Sequence, residues 1–171
     1  TETQTDCVVL DATSRKNLEL QTTLSGQFTH SFAWVLDHTC TPMGSRQLKR
    51  WINHPLRNPN ILEARFDAIS ALLKNYAYEA LQTALKPIGD LERFITRIAL
   101  QSAKPRDLTR LRTALNALPA LQESLTTVTS PRIDQLKTHI QTHPELADTL
   151  NRAVSENPPT LLREGGVIAE G

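Results

Sequence analysis

"DHTCTPMGSRQLKRW", Asp37 to Trp51, decides how the rest of the chain is read. It puts small residues, a proline, a cysteine and a basic run side by side. A phosphate cradle would need several glycines with a lysine and a hydroxyl residue at fixed offsets behind a strand. Gly44-Ser45-Arg46 has one glycine and no such spacing. A nucleophile elbow would need a glycine on each side of the serine at fixed distance, and that is absent too. Cys40 and His38 are two residues apart, which neither a helix nor a loop orients as a pair. An inert thiol near a helix start is the plainer reading than a reactive Cys–His pair. A capped helix accounts for every position. Thr41 caps, Pro42 is the first helical residue, and Gly44 lets a neighbouring element approach closely. Leu48, Trp51 and Ile52 then face inward, and Arg46, Lys49 and Arg50 face out.

The same start recurs along the chain. Asn58-Pro59, Lys104-Pro105, Ser130-Pro131 and His143-Pro144 repeat the pattern of Thr41-Pro42. Proline suits a first helical position because its missing N–H would be unpaired there and its φ is already helical. Lys104 and His143 are poorer caps than Asn or Ser. Apolar stripes follow at helical spacing: Leu62, Phe66, Ile69 and Leu73; Leu91, Phe94, Ile95 and Ile98 behind the cap Asp90; Leu108, Leu111, Leu115 and Leu118; Ile133, Leu136 and Ile140; Leu146, Leu150 and Val154. These predict about seven amphipathic helices with short connections. The fold class is all-α, a multi-helix bundle with at most one or two short strands near the termini. "DCVVLDA" reads as one such strand, leading into a helix near Ala12 that buries Leu18, and "TTLSGQFTHS" reads as loop. Pro158-Pro159 ends the helical region.

Composition agrees with helices. Leu and Ala carry an apolar content of 39%, and aromatics are only 5% of 171 residues. Lys and Arg number 19 against 18 Asp and Glu. Net charge therefore gives no general case for nucleic acid or membrane binding. No apolar run is long enough to span a bilayer. Two cysteines do not make a disulfide framework. The polar N-terminus has no basic leader, and both ends read as cut, so the chain reads as a piece of a larger protein.

Candidates for chemistry are few. His139 and His143 are four apart, a metal-capable spacing, but Pro144 follows and no acidic or thiol cluster joins them, so they read as surface or capping histidines. Asp90 and Glu92 suit the positive end of a helix dipole and have no partner carboxylate for acid–base work. The one charge cluster runs from Arg93 to Arg112. It holds Arg93, Arg97, Lys104, Arg106, Arg110 and Arg112 against Asp107 alone. Such a patch could meet phosphates or an acidic neighbouring domain, or be two solvated helix faces. Phe94 is its only aromatic, which argues against stacking on single strands. An enzyme acting alone, a helical nucleic-acid-binding module using Arg93–Arg112, and a free-standing adaptor with leucine faces are the alternatives to a scaffold. The enzyme ranks last, because no acid, base, nucleophile or metal set is found.

Four segments in order carry a resemblance: "LDATSRKNLEL", "VLDHTCTPMGSRQLKRWINHPL", "IGDLERFITRIALQSAKPRDLTRLR" and "PPTLLREGGVIAEG". Together they resemble the core, or lever, domain of the bacterial MutS mismatch-repair family, over nearly the whole chain. The resemblance implies a parent that dimerises around duplex DNA, detects mispaired or unpaired bases and uses ATP with Mg to become a sliding signal. Residues 1–10 would then end a preceding connector, 11–157 form the helical core, and 158–171 start the run toward the lever and clamp. The mismatch-reading domain and the ATPase lie elsewhere in such a parent, so no catalytic, cofactor-binding or metal residue carries over, and no cofactor belongs to this chain. Its implied partners are the connector, clamp and ATPase domains of its own parent, and DNA through the parent, which would be a cytoplasmic homodimer away from membranes. Its implied role is to couple ATPase state to the DNA clamp, with no activity of its own. Thr41, Pro42, Gly44, Arg46, Gly89, Asp90 and Arg93 are then the expected joint between elements, with Arg93 bonding a neighbour. Arg97, Lys104, Arg106, Arg110 and Arg112 are candidates for a weak phosphate or domain contact. Lack of the returning lever helix is expected to leave Leu108 to Leu118 open.

Overall fold

The computed structural model describes residues 7–160 and 162–169. Residues 1–6 of the expected connector end, and residues 161, 170 and 171 of the expected lever approach, lie outside the described residues. Among the described residues nine α-helical segments follow in order: α1 (Ala12–Asn17), α2 (Phe32–Leu36), α3 (Pro42–Asn53), α4 (Pro59–Leu73), α5 (Ala77–Leu85), α6 (Leu91–Ala99), α7 (Pro105–Ser124), α8 (Pro131–Lys137) and α9 (Pro144–Ala153). The first two are the shortest. All five Pro-marked starts are real helix starts. Asp11, Ser31, Thr41, Asn58, Asp90 and Ser130 cap with their side chains, each accepting a free N–H of the first turn. The strand expectation reduces to two isolated antiparallel bridges, Cys7 with Leu56 and Val154 with Ile168. The second ties the segment after α9 back to the helix end, where the Ser155 N–H donates to the Val167 carbonyl at 2.9 Å.

The twenty-residue α7 is the spine. It packs on α5, on the short 3₁₀ turn Lys86–Ile88, on α6 and on α9. Its buried side is Leu111, Ala114, Leu115, Ala117 and Leu121. The alanines let neighbouring backbones come close, while each buried leucine contributes roughly 1.5–3 kcal/mol. Pro119 sits on the exposed side and costs one backbone bond without ending the helix. One apolar cluster joins Ile88, Ala114, Ala117 and Leu121; a second joins Ala68, Leu125, Val128 and Ile133; Leu81 and Ile140 touch both.

Several expected inward positions are not inward. Leu18 caps α1 and is exposed. Trp51 is 40% exposed, its ring covered by the Arg65 guanidinium at 4.1 Å rather than by core. On α4 the expected stripe is reversed: Phe66, Ile69 and Leu73 are 61%, 51% and 60% exposed. α4 has two apolar sides, and the smaller one wins: Ala68 enters the core with Ala71 and Leu72 beside it, against α5 and α8. On α6 Phe94 is buried while Ile95 and Ile98 are exposed, and on α9 Leu146 is exposed. The expected open face from Leu108 to Leu118 is closed, since α5, α6 and α9 already cover α7. Open apolar surface lies instead on α2, α4 and α6, at Phe32, Trp34, Val35 and Leu36, at Phe66, Ile69 and Leu73, and at Ile95 and Ile98.

Candidate inter-helix joint

The joint begins with Asp37. Its carboxylate accepts the Thr39 hydroxyl at 2.6 Å and the Ser45 hydroxyl of α3. These bonds, the Ser45 one foremost, hold the Asp37 carboxyl below its ordinary range. They lay the loop before α3 against its first turn. Thr41 completes that turn by accepting the Gly44 N–H at 3.1 Å. A Cβ at Gly44 would lie 3.2 Å from Thr39 Cβ and 3.3 Å from Thr41 Oγ1. Gly44 therefore makes room for its own incoming loop, not for another helix, which corrects the sequence expectation. Pro42 is the first residue of α3 and stands on the rim of a groove.

Across that groove, Gly89 has φ +65° and ψ −139°. This region is essentially open to glycine alone. The backbone turns sharply there out of the Lys86–Ile88 turn and delivers Asp90 as the cap of α6. Arg46 reaches over from α3 as a fork. Its Nη1 donates to Asp90 Oδ2 at 2.9 Å and its Nη2 to Asp90 Oδ1 at 2.7 Å. Nη2 also donates to Glu92 Oε2 at 2.6 Å. The fork matches the carboxylate bidentately. Arg46 is the main cause holding the Asp90 carboxyl below its ordinary range, and Asp90 with Glu92 raises the Arg46 guanidinium. "TPMGSR" and "GDLER" are thus brought together as one contact, with Arg46 facing out of α3 but onto α6. Arg93 does not bond a neighbouring element through its side chain; its backbone N–H donates to Asp90, and its guanidinium has no hydrogen bond or ion pair among the described residues.

The basic stretch splits. Arg97 turns inward and its Nη1 donates to both oxygens of Asp107, at 2.9 and 3.0 Å. The Lys104 N–H also donates to Asp107, at 3.0 Å. Asp107 is 2% exposed. Burial pushes its carboxyl up, but the Lys104 N–H and Arg97 outweigh this and leave it below the ordinary range. This is a second joint, from the end of α6 to the start of α7. Arg112 donates to the Val154 carbonyl at 2.7 Å and ties α7 to the end of α9. Arg106 and Arg110 are exposed on α7, and their guanidinium groups have no hydrogen bond or ion pair among the described residues; Lys104 is exposed at the cap of α7. The six cations do not form one face.

Sequence reading missed Asp107 as a buried anchor, Glu92 as the second partner of Arg46, and the Asp37–Ser45 contact. Asp107 had a readable signal: it stands third in a helix that opens with proline, where an acid reaches back to the cap N–H. The other two join positions that no local spacing relates. His139, just past the end of α8, has its Nδ1 2.8 Å from the Gln135 carbonyl of that helix, and His143 stands at the cap of α9.

Pro42, Arg46, Asp90, Arg93 and Arg110 share one open groove of about 590 Å³, between α3, the turn before α6, α6 and α7. Among the described residues no group of three or more His, Cys, Asp or Glu is placed to hold a metal ion. No helix is long and apolar enough to cross a membrane among those residues. Against known families, the model described as MutS domain III matches residues 13–170.

Proposed function

The chain belongs to the MutS domain III family, and from that premise we propose that it is the mechanical core of its parent, coupling ATPase state to the position of the DNA clamp. On this reading ATP and Mg are bound by the parent's ATPase domain, DNA by the parent as a cytoplasmic homodimer, and no reaction is performed by the core itself. Its partners are then the connector, clamp and ATPase domains of the same parent.

The observation that carries the reading is the Arg46 fork on Asp90 and Glu92. It joins two helices far apart in sequence, it is solvent-accessible on the Arg46 side, and α3 otherwise meets α6 across an open groove. A contact of that kind can have two discrete arrangements, made or broken, and such elements are what carry coupling between distant sites. A solvated ion pair is cheap to break and remake, unlike the apolar clusters on α7.

Gly44→Leu in the full-length parent tests the reading. The new side chain meets Thr39 and Thr41, displaces the loop before α3 and shifts the Arg46 end of the joint. Mismatch binding is expected to survive while ATP-triggered release from DNA slows. Normal release with the fold intact would remove the joint from the coupling path.

A further inference from the structure

Three observations meet in the groove beside the joint. First, three arginines line it, Arg46, Arg93 and Arg110, against one lining carboxylate, Asp90, while Glu92 is bonded to Arg46 beside it. Second, the Asp90 carboxylate is already committed. Both its oxygens take the Arg46 fork and one also accepts the Arg93 N–H. Arg93 acts on Asp90 and Arg110 on Asp107 through space alone; neither guanidinium is hydrogen-bonded to an anion among the described residues, although those of Arg46, Arg97 and Arg112 all have acceptors. Third, the floor is apolar: Ile88 and Phe94 are buried, with Pro42 and Pro87 at the edge.

We propose that this groove is a docking site for an acidic peptide segment, one carboxylate lying between Arg93 and Arg110 and a neighbouring apolar side chain resting on Pro42 and Pro87. Guanidinium groups bind carboxylates bidentately, and an apolar wall strengthens that bond by excluding water. The volume, about 590 Å³, suits one or two side chains. A DNA duplex is convex and rigid, and it presents phosphates along a line rather than into a recess. It fits cations that project from a surface, as Arg106 does on the same helix, better than cations set around a recess. The site stands on charge and shape alone, so it holds or fails independently of the coupling role.

The probe is a fluorescein-labelled hexapeptide of alternating aspartate and leucine, titrated with this chain by anisotropy at near-physiological salt. Its asparagine–leucine counterpart is the neutral control, and an unlabelled DNA duplex is the competitor. The acidic peptide is expected to bind at least about tenfold tighter than the neutral one. R93Q and R110Q should each weaken it by about 5- to 30-fold, with far-ultraviolet circular dichroism unchanged, and R106Q should leave it as it was. No preference for the acidic peptide would overturn the proposal. So would equal loss in R106Q, which would reduce the effect to general positive charge. Displacement by the duplex, lost again in R93Q and R110Q, would also overturn it and assign the groove to nucleic acid.

Discussion

Arg46 and Asp90 meet as a two-toothed ion pair, 2.9 and 2.7 Å, between the first half of α3 and the cap of α6. Asp90 thereby does two things at once. It closes the N-terminus of α6 by accepting the Arg93 N–H, and it fixes where α6 begins relative to α3. Arg46→Ala and Asp90→Ala are expected to lower the melting temperature separately, Asp90→Ala more, because it also loses the cap. The double variant should be no worse than Asp90→Ala by more than a small margin. Thermal unfolding of the four proteins reads the result; additive losses would mean that the two side chains do not act as a unit.

Asp107 is the buried counterpart. Asp107→Ala leaves the Lys104 N–H and Arg97 without their acceptor and should cost about 2 kcal/mol in urea unfolding. Arg97→Ala should cost less, since Arg97 is partly solvated and the Lys104 N–H remains bonded to Asp107. A larger loss in Arg97→Ala would contradict the order of these two contacts.

The pH dependence has one direction. Asp37, Asp90 and Asp107 all sit below their ordinary 3.8 in the folded chain. A carboxyl with a depressed folded pKa binds protons more readily when unfolded. Its stabilising contribution is present above pH 3.8, and falls away as pH drops below that value through the folded pKa. Stability should therefore be flat near neutrality on account of these groups and fall in acid. Asp107→Asn should flatten the acid limb of a urea-midpoint profile, and an unchanged slope would count against the depressed carboxyl.

Gly89 carries the sharpest backbone requirement. Gly89→Ala forces a side chain into φ +65° and ψ −139° and should cost about 1–3 kcal/mol. The nearest atoms to that Cβ are ring carbons of Phe94 at 3.6 Å, so the cost is conformational rather than steric. A neutral Gly89→Ala would mean that the turn relaxes freely.

The reversed stripe on α4 is testable by substitution. Ile69→Gln, on the exposed side, should change stability by less than about 0.5 kcal/mol, whereas Leu121→Ala in the core should cost about 2–5 kcal/mol. Urea midpoints distinguish them. A severe loss in Ile69→Gln would restore the sequence-based orientation of α4.

Helix existence was legible because caps and prolines are local chemistry. Thr41-Pro42, Asn58-Pro59 and Ser130-Pro131 announce their own helices, and even the poorer caps Lys104 and His143 open real ones. Orientation was less legible. α4 offers both Phe66–Ile69–Leu73 and Ala68–Ala71–Leu72, and only the neighbours α5 and α8 choose between a large and a small apolar side. The joint was half legible. The family resemblance put Thr41, Pro42, Gly44 and Arg46 in one expected joint with Gly89, Asp90 and Arg93, but pairing Arg46 with Asp90 needs the chain path between them. Reading Arg93 to Arg112 as one patch failed for the same reason: Arg97 and Arg112 find acceptors, Asp107 and the Val154 carbonyl, on turns that sequence spacing does not place.

Arg46→Gln in the full-length parent tests the central claim most directly, with mismatch affinity measured first and ATP-triggered release from a G·T duplex measured second by stopped-flow fluorescence. The joint reading expects affinity without ATP to stay within about twofold and release to slow by about tenfold, a coupling loss of the usual size. Release at the normal rate, in a protein that folds and binds the mismatch as before, would contradict it.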